Sequence, residues 1–110
     1  MTEDAKRQHQ RPEGRLIERA MSGPPRVSGR KLAAMADLSE GRVRQIVNGY
    51  RSEAGMLLPI VAPAETLARL GAALKLSPDD FEQAQRPDVA EILRGEITSG
   101  VTEEGDLWLM

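Results

Sequence analysis

Apolar positions recur every three or four residues through most of this 110-residue chain, a spacing that gathers them on one side of an α-helix. From Pro12 onward Leu16, Ile17, Ala20 and Met21 share a face, and Ser22-Gly23-Pro24-Pro25 stops the run. Ser28 is a good N-cap for a short second helix in which Leu32, Ala33, Met35 and Ala36 are apolar and Asp37 ends the pattern. Ser39 caps a third helix one residue after Leu38, and Val43, Ile46 and Val47 repeat at helical spacing until Asn48-Gly49, a typical stop. A fourth pattern runs from Ala64 to Leu76 through Leu67, Leu70 and Leu74. A fifth opens at Ser77-Pro78-Asp79-Asp80 and continues through Phe81 and Ala84, and a sixth restarts at Pro87-Asp88 with Val89, Ile92, Leu93 and Ile97.

Two regions break the periodicity. Residues 1–11 carry no apolar repeat and are expected to form a mobile tail that holds the single histidine, His9. Between Tyr50 and Pro63, Gly55 and Pro59 punctuate the apolar run Met56-Leu57-Leu58-Pro59-Ile60-Val61, which suits an extended loop or a short hairpin better than a helix. The pattern predicts an all-α chain with one domain: a tail at 1–11, a helical domain at 12–86, and a C-terminal helix and tail at 87–110 that ends Leu107-Trp108-Leu109-Met110.

The second and third helices are the informative pair. Two short helices joined by a tight turn cross closely and need small residues at the crossing. Leu32, Leu38, Val43 and Ile46 supply the core, Ala33 and Ala36 the close approach, and Asp37 the turn. This arrangement, Leu32-Ala33 … Asp37-Leu38-Ser39 … Val43 … Ile46 … Asn48-Gly49, resembles the lambda-repressor-like (Cro/cI, XRE-type) helix-turn-helix family, with matching flanks over about residues 13–85. It departs from the usual pattern in two places. Asp37 stands for the turn glycine, an exchange that a left-handed backbone tolerates in aspartate, and the connection between helices three and four is longer than usual.

The resemblance implies a five-helix lambda-repressor-like domain carrying an extra C-terminal helix and tail. It further implies a sequence-specific double-stranded DNA-binding transcriptional regulator, with repression the commoner role. In such proteins the second helix of the pair lies in the major groove. Carried over by position, Glu40, Gly41, Arg42, Arg44 and Gln45 would face bases, while Ser28, Arg30, Lys31, Ser39, Asn48 and Arg51 would contact phosphates. Arginine can donate two hydrogen bonds to guanine, glutamine can pair with adenine, glutamate can accept from a cytosine amine, and Gly41 permits close approach. Each position also has an ordinary use: Arg42 and Arg44 can solvate an exposed face, Glu40 can favour the helix dipole, and Asn48 can end the helix.

Charge bears on this expectation through its distribution. The net charge is −2, yet residues 1–51 hold 11 Lys/Arg against 6 Asp/Glu and residues 52–110 hold 4 against 11. A basic N-terminal half can attract phosphate while the acidic half faces away or meets a protein; an unevenly charged solvated surface is the plainer alternative. Cysteine is absent, which removes disulfides and thiolate chemistry and is compatible with a reducing cytoplasm.

No enzyme, cofactor or metal site is expected. Gly23 to Lys31 lacks the spacing of a phosphate loop, Asp79, Asp80 and Glu82 sit where acids favour a helix start, and His9 leaves no nucleophile–base pair. The run Met56 to Ala62 is far shorter than the roughly 20 residues of a membrane span, and the N-terminus lacks the apolar core of a signal peptide, so a cytoplasmic protein is expected.

A single recognition helix buries little surface, so a homodimer on a two-fold DNA site is expected, with the helix around Val89, Ile92 and Leu93 and the Trp108 tail as the candidate contact. The 50–63 segment admits three roles: a DNA-contacting wing with Arg51, an apolar plug over the core, or a dimer contact. The competing function is a protein-interaction adaptor or antitoxin-like module whose acidic C-terminal half grips another protein.

Overall fold

In the computed structural model, which describes residues 8–101, six helices and one antiparallel hairpin follow in the order α1 (Pro12–Ser22), α2 (Gly29–Ala36), α3 (Glu40–Asn48), β1 (Tyr50–Glu53), β2 (Met56–Pro59), α4 (Ala64–Ala73), α5 (Pro78–Gln83) and α6 (Pro87–Val101). The chain is mostly helical, but the all-α expectation must be amended by the two-stranded sheet between α3 and α4. No helix among the described residues is long and apolar enough to cross a membrane.

Helix starts follow the capping residues. The Ser28 hydroxyl accepts from the Lys31 N–H at 3.1 Å and the Ser39 hydroxyl from the Arg42 N–H at 3.0 Å. Ser77 and Asp80 bond reciprocally, each side chain accepting from the other's backbone N–H, with Pro78 in the first turn. The turn between α2 and α3 is built on Asp37, which is left-handed at φ 59°, ψ 48°. Its N–H donates to Ala34 O and the Leu38 N–H donates to Ala33 O at 2.8 Å, a paired closure usually made around glycine.

The predicted apolar faces meet in one core. Ile17, Leu32, Val43, Leu67, Leu70, Phe81 and Val89 are its largest fully enclosed side chains, with Ala33, Ala36 and Ala68 where elements approach closely. Gly14 seats α1 on α3: a methyl there would lie 2.6 Å from the Val47 carbonyl oxygen. Val89, Ala90 and Leu93 are buried in this same core and Ile92 packs against it, so the α6 residues offered as a dimer contact are spent within the monomer. The other half of that expected contact, the tail ending Leu107-Trp108-Leu109-Met110, lies outside the described residues.

A buried ion network ties the two ends of the domain. Arg86, 8% exposed, donates to Glu13 Oε2 at 3.1 Å, to the Ala62 carbonyl at 3.1 Å and to both oxygens of Asp88 at 3.0 and 2.9 Å. Arg11 donates to the same Glu13 oxygen at 2.7 Å. The hydrogen-bonded Asp88 carboxylate holds the Arg86 guanidinium above its ordinary range, and the same contact holds Asp88 below its own.

The expected tail does not extend to residue 11. The Gln10 amide donates to Glu18 at 2.9 Å and to the Val47 carbonyl at 3.2 Å, and the His9 ring lies 5.5 Å from that of Tyr50. The backbone at His9 runs so close to Gly49 that only glycine fits there, and Gly49 also needs its positive φ of 84° to end α3.

Candidate nucleic-acid interface

The surface built by α2 and α3 collects most of the residues singled out from the sequence. On α3 the buried residues Val43, Ile46 and Val47 face the core. Gly41, Arg44, Gln45 and Asn48, spaced three and four apart, therefore form the outward stripe. Arg44 is exposed and the other three are half-buried. Glu40 and Arg42 flank the stripe on opposite sides, so the five expected base-facing residues split into a central three and two flanking ones. Asn48, expected beside phosphates at the helix end, shares the central stripe.

Arg44 approaches Glu40 at 4.0 Å, one turn apart, with 66% and 52% of the two side chains exposed. A solvated pair of this length contributes little to stability and leaves the guanidinium free to exchange partners. Ser39 and Ser28 each use a hydroxyl lone pair to cap a helix, which leaves one hydroxyl proton to donate outward.

The start of α2 lies against the start of α3. A methyl on Gly29 would be 3.9 Å from Glu40 Cγ and 4.0 Å from Glu40 Oε2, so the first residue of α3 lays its side chain and carboxylate beside the first residue of α2. The unpaired backbone N–H groups of both helix starts carry partial positive charge. Arg30 and Lys31, both exposed, stand in the first turn of α2, and the stretch from Arg26 to Arg51 holds six Lys/Arg against two Asp/Glu. Beside this face a groove of about 500 Å³ runs between the end of α1 and α3, lined by the apolar Met21, Val27, Val43 and Val47 and by both basic and acidic side chains, Arg26 and Arg44 with Glu18 and Glu40. Arg26 was not among the expected site residues; its position two residues before the Ser28 cap was the available signal.

Arg51 lies on β1, three residues beyond the end of α3, and pairs with Glu53 at 3.1 Å. The hairpin does not plug the core: Met56, Leu57 and Val61 are 62%, 39% and 58% exposed. Asp79 and Glu82, part of the acidic cluster at the start of α5, bind Arg94 at 3.1 and 2.6 Å, and Asp80 closes the helix cap. The hydrogen bond from Arg94 holds Glu82 below the usual carboxylate range. Among the described residues no group of three His, Cys, Asp or Glu side chains could hold a metal ion.

No family model, curated protein or solved structure matches the chain. The functional reading therefore stands on the site itself.

Proposed function

We propose that this chain is a sequence-specific double-stranded DNA-binding regulator of transcription, of the lambda-repressor-like helix-turn-helix type, which acts as a cytoplasmic repressor and not as an enzyme. In this reading α3 enters the major groove with Arg44 and Gln45 toward base edges and Gly41 at the closest approach. Arg42 and Glu40 reach the margins of the same site. Arg30 and Lys31, with the helix N-termini behind them, bind the flanking phosphates.

The observation that carries the reading is the adjacency of the two helix starts. A polar, glycine-relieved stripe on α3 lies beside a basic first turn of α2, on a turn whose geometry is fixed by Asp37 and Ser39.

Selection of the full chain against a random duplex pool tests it. Enrichment of a defined motif is expected, with affinity that falls steeply with salt as phosphate counterions are released. If nothing is enriched, and Arg44→Ala leaves residual binding unchanged, the reading fails and the adaptor function takes its place.

A further inference from the structure

The hairpin after α3 has no part in the reading face just described. Residues 51–57 are all exposed, and Met56, Leu57 and Val61 are three of the four large apolar side chains that the described residues leave open to solvent. A two-stranded ribbon with both faces wet is marginal on its own.

The register fixes what its edges offer. Tyr50 faces Pro59, Arg51 faces Leu58, Ser52 faces Leu57 and Glu53 faces Met56, while the Ile60 N–H donates to Gly49 O at 2.9 Å. That bond makes Tyr50–Pro59 and Ser52–Leu57 the non-hydrogen-bonded pairs, whose backbone groups point away from the ribbon. On β2 the outward positions are Leu57 and Pro59, and proline has no N–H to give. Leu57 alone on β2 therefore keeps both an outward N–H and C=O, whereas on β1 both outward positions, Tyr50 and Ser52, keep them, so β1 is the edge better equipped to accept another strand.

The side chains around Ser52 are self-complementary. Arg51 and Glu53 flank it on one face of β1 and already pair with each other at 3.1 Å. In a second copy run antiparallel about Ser52, Arg51 would stand opposite the partner's Glu53 and Glu53 opposite the partner's Arg51. We propose that β1 is a homodimer contact: two copies join edge to edge about a two-fold axis at Ser52, which exchanges two backbone hydrogen bonds with the partner's Ser52 and extends the ribbon to four strands.

Opposite charges directly across such a pair attract, and like charges repel. DNA is the poorer occupant of this hairpin, because Glu53 stands at its tip and Met56 and Leu57 are not groove chemistry. Two four-residue strands bury less than a standard interface, so the free dimer is weak, with a dissociation constant on the order of 10–100 μM. Resting on the proposed function, this contact gives a two-fold DNA site, because β1 begins at the end of α3.

Sedimentation equilibrium of the full chain without DNA tests the contact apart from the DNA reading. The wild type is expected to dimerise reversibly. Glu53→Arg or Arg51→Glu alone should weaken association about tenfold or more, and the double swap Arg51→Glu/Glu53→Arg should restore it. Ser52→Pro, which removes the central donor, should leave monomers, with unchanged circular dichroism showing that the helices remain folded. A wild type that stays monomeric to about 500 μM overturns the proposal. So does a Glu53→Arg variant that dimerises like the wild type, a double swap that fails to recover, or a Glu53→Arg variant whose only change is tighter binding to arbitrary duplex DNA.

Discussion

Arg86 is where single-residue chemistry matters most to the fold. It shares Glu13 with Arg11, and Glu13 Oε1 is buried with no hydrogen-bond partner among the described residues, so removing the Arg86 guanidinium would leave this enclosed carboxylate with only the half-exposed Arg11 as counter-charge and would free Asp88. Arg86→Met should cost about 3–5 kcal/mol in urea unfolding, the usual penalty for breaking one side of a buried pair. Arg86→Lys should recover only part of it, because an ammonium cannot hold Asp88 through two parallel bonds. Asp37 makes a milder case. It is held in the left-handed region, where glycine carries no Cβ penalty, so Asp37→Gly should be stabilising by about 0.5–1 kcal/mol and a β-branched Asp37→Val destabilising by about 1–2 kcal/mol.

The acid side of the stability profile follows from the carboxylates. Asp88 and Glu82 are both held below their ordinary values, each chiefly by an arginine hydrogen bond. As pH falls, the unfolded chain takes up protons at these groups before the folded chain does. Stability they supply is thus complete above the ordinary carboxylate range, near pH 4, and lost as pH drops through the lowered folded values. The urea midpoint should fall between about pH 5 and pH 2, and Asp88→Asn should flatten part of that fall.

At the scale of elements, Gly14 sets how α1 sits on α3. Gly14→Ala would drive a methyl to 2.6 Å from the Val47 carbonyl, and the cost of shifting the helices should be about 1–3 kcal/mol, seen as a lowered thermal midpoint. The helices were legible in the chain because the starts of five of the six are written locally, in Pro12, Ser28, Ser39, Ser77-Pro78 and Pro87, and the faces of all six in simple spacing. The hairpin was only half legible. Its loop, Ala54-Gly55, lacks the Asn-Gly signature even though both residues take positive φ, and Met56 to Pro59 shows no alternation because both faces are solvated.

What escaped the sequence depends on contacts between distant residues. Nothing near Arg86 marks it as the partner of Glu13, 73 residues away, and nothing in His9 and Gln10 marks them as packed on Gly49 and Tyr50. The α6 face failed as a dimer surface for a related reason. An apolar stripe looks the same whether its own core or a second chain covers it, and here the core covers Val89 and Leu93. On α3, the sequence grouped Glu40 and Arg42 with Gly41, Arg44 and Gln45 and set Asn48 apart, whereas Asn48 shares the outward stripe and Glu40 and Arg42 flank it, and nothing local brought Arg26 to the edge of the groove.

At the scale of the molecule the central feature is polarity. Basic residues gather on α2, α3 and the segment before them, whereas in the C-terminal half Arg86 and Arg94 are bound to carboxylates of their own domain. In the proposed function, a duplex would be attracted by the basic segment and repelled by the acidic C-terminal half, which would orient the encounter before any base is read. Phosphate-binding and base-reading residues should then separate in their effects. Arg30→Ala and Lys31→Ala should weaken binding to all sequences alike and each reduce the salt slope by about one.

The most direct measurement is the affinity of wild type and Arg44→Ala for the selected site and for scrambled duplex at one salt concentration. The account predicts that Arg44→Ala loses about 1–3 kcal/mol on the selected site, roughly 5- to 150-fold, with scrambled DNA little changed, so that the specificity ratio collapses. Equal loss on both duplexes, or none on either, would contradict it.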